Sequence, residues 1–143
     1  MKLVLDSNIL FTYFWGKSVL ADLLNYKKLD VLSPEFALSE INKHEDEIIK
    51  KTGLTKKEFK DRYQELVSKI TLVQLKDYED YIKELARIFS HLNEKDKEEL
   101  FLDIDFIALA LKENCALWSN DLLLKKQNKV IVLSTKEVLE LVT

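Results

Sequence analysis

The first apolar run along the chain, Leu3-Val4-Leu5, is bounded by Lys2 and Asp6 and is too short to be a helix, so it reads as a buried strand. "LDVLS" at 29–33 reads the same way. Between them Val19, Leu20, Leu23 and Leu24 recur at helical spacing, and the first fifty residues are predicted to run strand, helix, strand, helix. The second of these helices is placed from Ser33-Pro34, where proline suits a first turn, through "EFALSEINKHEDEIIKK" as far as Gly53, a natural helix-ending residue. Thr55 with Glu58 three residues on forms a capping box for the next helix.

The middle of the chain alternates in the same manner: helical "KKEFKDRYQELVSK", a third strand at "ITLVQ", then helical "YEDYIKELARIF". The mixed-sign run "NEKDKEE" reads as solvated helix or loop surface and is assigned no chemistry. After it, "FIALALKEN", "CALW", "NDLLLKK", "VIVLS" and "TKEVLELV" again alternate helix and strand types. Alternation of this kind predicts an α/β fold with a parallel sheet covered on both faces, in which sites form beyond the carboxyl ends of the strands. With 143 residues, no internal repeat and no linker, one domain spanning 1–143 is expected.

Composition sharpens this picture in three respects. Hydrophobic residues make up 47% of the chain with only two glycines and one proline, which excludes low-complexity disorder. A net charge of −3 argues against a non-specific nucleic-acid binder held by a basic surface, leaving Lys56-Lys57 and Lys125-Lys126 as local contact candidates. The lone Cys115 excludes an internal disulfide or a Cys-rich zinc site, suits a reducing compartment, and reads as a small buried apolar residue. No stretch approaches about 18 uninterrupted apolar residues, so the chain is read as soluble, cytoplasmic and without a membrane partner.

Acidic residues stand where the predicted strands end. Asp6 follows the first strand and Asp121 follows "CALW"; Glu40 falls about two turns into the second helix as placed above, Asp103 opens "DIDFIALALKEN", and Asp105 comes two residues later. Each has a plain structural reading, since Asp at a helix start caps it and a lone Glu is commonly solvated. Gathered together they would repel, by about 4 kcal/mol for a pair 4 Å apart at an effective dielectric near 20, and would need a counter-charge. With no Cys or His in these motifs, a hard divalent cation such as Mg²⁺ or Mn²⁺ fits the oxygen donors.

The spacing of "LVLDSNIL", "LSEI", "DIDFIALALKENCALWSND" and "VIVLS" resembles the PIN domain family, especially stand-alone toxin ribonucleases of the VapC-like kind. The resemblance spans essentially the whole chain, although 51–99 contributes no motif of its own. It implies a three-layer α/β/α sandwich with a mostly parallel central sheet. It further implies Mg²⁺- or Mn²⁺-dependent endonucleolytic cleavage of RNA, with an antitoxin protein and a second copy of the chain, in a homodimer, as partners. Asp6, Glu40, Asp103 and Asp121 fall on the family's catalytic positions, with Asp6, Asp103 and Asp121 as metal ligands. Ser7, Asn8, Asp105, Ser119 and Asn120 take supporting places, and Asp105 stands where the family is not always acidic.

Other readings compete less well. A dehalogenase-like phosphatase wants a second Asp two residues after the first, where Asn8 stands, and a phosphoacceptor receiver wants a strand-borne lysine late in the chain. A PIN-like scaffold that binds RNA or protein without cutting, and an RNA-processing nuclease outside any toxin pair, stay open. No histidine sits in the motifs to activate Ser7 or Ser119 as a nucleophile. His44 and His91 are read as exposed, Trp118 as core, and Trp15, beside Gly16, leaves base stacking open.

Overall fold

The computed structural model of the protein describes residues 1–26 and 28–143. Strand β1 (Lys2–Leu5), with Leu3, Val4 and Leu5 wholly buried, turns at once into the short helix α1 (Ser7–Phe11). A 3-10 turn (Thr12–Phe14) leads to α2 (Val19–Leu23), β2 (Asp30–Pro34), α3 (Phe36–Lys43), α4 (Glu45–Thr52) and α5 (Lys56–Lys69). Next come β3 (Thr71–Val73), α6 (Glu79–Phe89), α7 (Glu94–Leu102), α8 (Ile104–Glu113) and β4 (Ala116–Trp118). A 3-10 segment (Leu122–Lys126), β5 (Val132–Leu133) and α9 (Thr135–Val142) complete the order.

The five strands form one all-parallel sheet in the order β3-β2-β1-β4-β5, and helices cover it as a three-layer α/β/α sandwich. Chain progression runs outward from β1 through β2 to β3, then resumes on the other side of β1 with β4 and β5. Between β1 and β4 the direction of winding therefore reverses, and a crevice opens there beyond the strand ends. Leu5 is in register with Trp118, so Asp6 and Ser119 leave the sheet side by side; the Asp6 N–H donates to the Trp118 carbonyl at 3.3 Å.

Helix α8 is the central helix of the sandwich. It packs on α6, β1 and β2 and buries Ile104 and all of Phe106 to Ala110. A helix apolar nearly all round has to be enclosed, as this one is. Asn114, left-handed at φ 52°, ends it, a conformation in which Asn is favoured over most residues.

Several sequence expectations need correction. The helix expected from Ser33-Pro34 to Gly53 is two helices, and Pro34 is the last residue of β2, opposite Val73. Its missing N–H falls where the ladder ends; the next amide, Glu35 N–H, donates to the Val73 carbonyl at 2.8 Å. The break comes at His44, with ψ 14°: Ala37 and Ile41 hold α3 on the core and Ile48 holds α4, while Asn42 and Lys43 between them are exposed. Gly53, at φ 75°, ends α4 as expected. "NDLLLKK" contains a 3-10 segment where a regular helix was expected, and Cys115 is only half-buried. "NEKDKEE", read as solvated helix or loop surface, opens α7 in agreement with that reading.

Candidate active site

Asp6 sits directly after β1, only 4% exposed, and is the N-cap of α1: its Oδ1 accepts a hydrogen bond from the Ile9 N–H at 2.9 Å. Besides capping through Oδ1, Asp6 lines the crevice. Asp121 follows β4 and likewise caps, accepting from the Leu123 N–H at 3.0 Å. Its own N–H donates to the hydroxyl of Ser119, buried beneath the loop, at 3.1 Å. Asp103 behaves differently: it occupies the N-cap position of α8 but makes no side-chain hydrogen bond to that helix. Glu40 lies about one turn into α3, not two, because α3 begins at Phe36. Ala37 and Ile41, both wholly buried, fix the rotation of α3 and with it the direction of Glu40.

These four acids line a single cleft of about 370 Å³, together with Ser7 and Asn8. Phe11, Phe36, Leu102 and Phe106 form its apolar walls, and His44 stands at its edge. No lysine or arginine lines it among the described residues. Asp105 is not in the cleft: its Oδ2 accepts from the Tyr78 hydroxyl at 2.8 Å, in a neighbouring pocket. Asn120 is also outside it and acts as a clamp. Its Oδ1 accepts from the Thr135 N–H at 2.8 Å and its Nδ2 donates to Thr135 Oγ1 at 2.9 Å, where Trp118 Nε1 also donates at 3.0 Å.

Uncompensated negative charge governs the electrostatics. Burial, then the charges of Asp6 and Asp121, push the Asp103 carboxyl up to about 6. Burial also raises Asp6, against hydrogen bonding from Ser119 and the Ile9 amide, which lowers it; the charge of Asp121 adds to the rise. The donors are all oxygens of hard carboxylates in excess of positive charge, the chemistry that suits Mg²⁺ or Mn²⁺. Among the described residues, however, no three or more His, Cys, Asp or Glu side chains stand close enough to ligate one ion together. The set fits an ion that keeps part of its water shell, as Mg²⁺ does.

Sequence reasoning placed little weight on His44 and did not place the aromatic walls. Phe36 and Phe106 have ring centroids 5.4 Å apart, and the Phe11 and His44 rings meet edge to face at 5.7 Å. The signal for His44 was its position one helical turn after Glu40, which holds despite the break in the helix. Nothing in the sequence announced Phe11 as a wall, because α1 was not expected as a helix of its own.

No curated protein sequence matches the chain. Among solved structures, a chain in the crystal structure of VapBC2 from Rickettsia felis bound to a DNA fragment from their promoter superposes with a TM-score of 0.67 at 17% identity, covering 94% of this chain and 98% of that one. At that identity the likeness speaks for the fold. The sequence model of the PIN domain matches residues 4–139, and on that near-complete match the chain belongs to the PIN domain family.

Proposed function

We propose that the protein is a Mg²⁺- or Mn²⁺-dependent endoribonuclease that hydrolyses RNA phosphodiester bonds, and that it is the toxin of a type II toxin–antitoxin pair. The observation that carries the reading is the convergence of Asp6, Glu40, Asp103 and Asp121, from separate parts of the fold, on one cleft lined by neither lysine nor arginine among the described residues. Membership of a nuclease family supports it.

Asp6, Asp103 and Asp121 would hold the cation, in part through water, and Glu40 on α3 would orient the attacking water. Such an ion, when bound, would supply Lewis acidity for water activation and for charge developing on the phosphate. Ser7 and Asn8, at the start of α1, offer a hydroxyl and an amide to the phosphate oxygens. Ser119 orders the Asp121 loop from beneath and helps to keep Asp6 ionised. In-line attack by water needs no covalent enzyme intermediate.

The toxin assignment is supported by the shared fold with a chain of VapBC2. An antitoxin would insert a segment at the cleft with a basic side chain against its carboxylates, and a homodimer of the catalytic chain is expected on the same family resemblance. A cytoplasmic location accords with the enzyme's RNA substrate; among the described residues no helix is long and apolar enough to cross a membrane. The spacing of the carboxylates favours one rival, a PIN-like scaffold that binds without cutting.

The decisive assay compares RNA cleavage with Mg²⁺, Mn²⁺ and EDTA for wild type and Asp6→Asn. Cleavage that needs no metal, or survives the substitution, would contradict the enzyme, and metal-independent RNA binding without cleavage would favour the scaffold. Growth arrest on expression, relieved by a small neighbouring gene, tests the toxin, and native mass spectrometry showing only monomers would count against the dimer.

A further inference from the structure

Three depressions run into one another along one flank of the molecule. The acidic cleft shares Asn8, Phe11 and His44 with a groove of about 440 Å³, and that groove shares Trp15 with a further one of about 460 Å³ whose charged lining is Lys17 and Arg62 together with Asp22 and Glu65. Trp15, at the junction, is 51% exposed, yet its backbone is held: Arg62 Nη1 donates to the carbonyls of Phe14 and Trp15 at 3.2 and 3.4 Å. The middle groove also presents Lys51. Lys51 pairs with Glu47 at 2.8 Å, with its side chain 68% exposed, and an exposed pair of this kind is weak enough to be exchanged for a phosphate.

On its other side the acidic cleft shares Phe36 and Leu102 with a pocket of about 520 Å³ whose charged lining is Glu35 and Asp105. Neither charged residue of that pocket's lining is a cation, whereas on the Trp15 side Lys51, Lys17 and Arg62 stand among Glu47, Asp22 and Glu65 and offer a polyanion its contacts. Grooves that join an exposed indole to lysines are how single strands are held without base pairing, by stacking and by backbone charge.

We infer that single-stranded RNA leaves the acidic cleft along this track, with an unpaired base stacked on Trp15 and backbone phosphates meeting Lys51 and Lys17. The inference takes its substrate class from the ribonuclease reading, but its test does not depend on cleavage.

Binding of a single-stranded RNA of about ten nucleotides, and of its duplex, is measured in EDTA by tryptophan fluorescence and by anisotropy of a labelled strand. Trp118, 1% exposed, serves as the internal reference that RNA should not quench. Single-stranded RNA is expected to quench Trp15. Trp15→Ala should weaken binding by about 5- to 150-fold, the worth of one stacked base, while Trp15→Phe keeps most of the affinity. Lys51→Glu should weaken binding and flatten its salt dependence. With Mg²⁺ present, Trp15→Ala and Lys51→Glu should raise KM and leave kcat near wild type.

Unchanged binding by Trp15→Ala alongside normal wild-type cleavage would overturn the track and spare the nuclease. Trp15-dependent binding without cleavage by wild type would support the track and remove the nuclease. Preference for the duplex, or quenching of Trp15 by a protein partner but not by RNA, would overturn the track. Melting curves of Trp15→Phe and Lys51→Glu confirm that binding losses are not losses of fold.

Discussion

The carboxyls of Asp6 and Asp103 share one cleft, and the charge of Asp6, second only to burial, helps to push the Asp103 pKa up to about 6. A carboxyl whose pKa is higher in the folded than in the unfolded chain binds its proton more tightly when native. Stability is therefore lost as pH rises through the interval from about 4 to about 6, and the loss persists at neutral pH.

Asp103→Asn removes that penalty. In EDTA at neutral pH the variant should melt above wild type, by about 1 kcal/mol once the solvent screening of a half-exposed group is allowed for, and the gain should vanish near pH 4. Equal melting temperatures at neutral pH would show that the cleft's repulsion is already relieved by other means.

Divalent cations should act through the same charge. Mg²⁺ or Mn²⁺ should raise the melting temperature of wild type, with the rise lost in Asp6→Asn and Asp103→Asn. Below about pH 6 protons compete for Asp103, and calorimetric affinity for the ion should fall by about tenfold per pH unit. A pH-independent affinity would mean that the ion sits elsewhere.

Asn120 and Asp121 are neighbours with opposite expected phenotypes. Asn120→Ala removes both hydrogen bonds to Thr135 and should cost about 1–2 kcal/mol of stability, read by urea denaturation, with cleavage only partly reduced. Asp121→Asn should retain stability and lose cleavage. The same phenotype from both would place the two residues in one role.

Tyr78 and Asp105 form a structural pair beside the active cleft. Burial and Asp105 hold the Tyr78 hydroxyl well above the ordinary tyrosine range, so it stays a donor. Tyr78→Phe should cost about 1 kcal/mol in thermal melts and leave RNA cleavage near wild type. Asp105→Asn should also cut RNA normally; abolition of cleavage would return Asp105 to its expected supporting place at the site.

Much of the fold was legible in the sequence because it rests on short-range rules. The strand cores at Leu3–Leu5 and Val31–Leu32, the Thr55–Glu58 capping box, and α5 over Lys56–Lys69 lie where pattern and cap chemistry put them. What escaped was tertiary in origin. The bend at His44 is set by two apolar faces that must both reach the core, which helical periodicity alone does not encode. Gln127 is another case: buried, it bonds the Leu124 and Val130 carbonyls and the Lys129 and Val130 amides to hold the approach to β5, yet its sequence context is ordinary. The grouping of the four acids came from family resemblance, and the separation of Asp105 from them came only with the partner Tyr78, 27 residues away.

The seat of β1 between β2 and β4 orders events during synthesis. Asp6 is made more than a hundred residues before Asp121, and one flank of its strand stays bare until residues 116–118 have emerged to pair with it. If the chain cuts RNA as proposed, a ribosome holds no competent cutter until Asp121 is folded beside β1. Fragments released early from a broken message are then harmless to the cell that makes them.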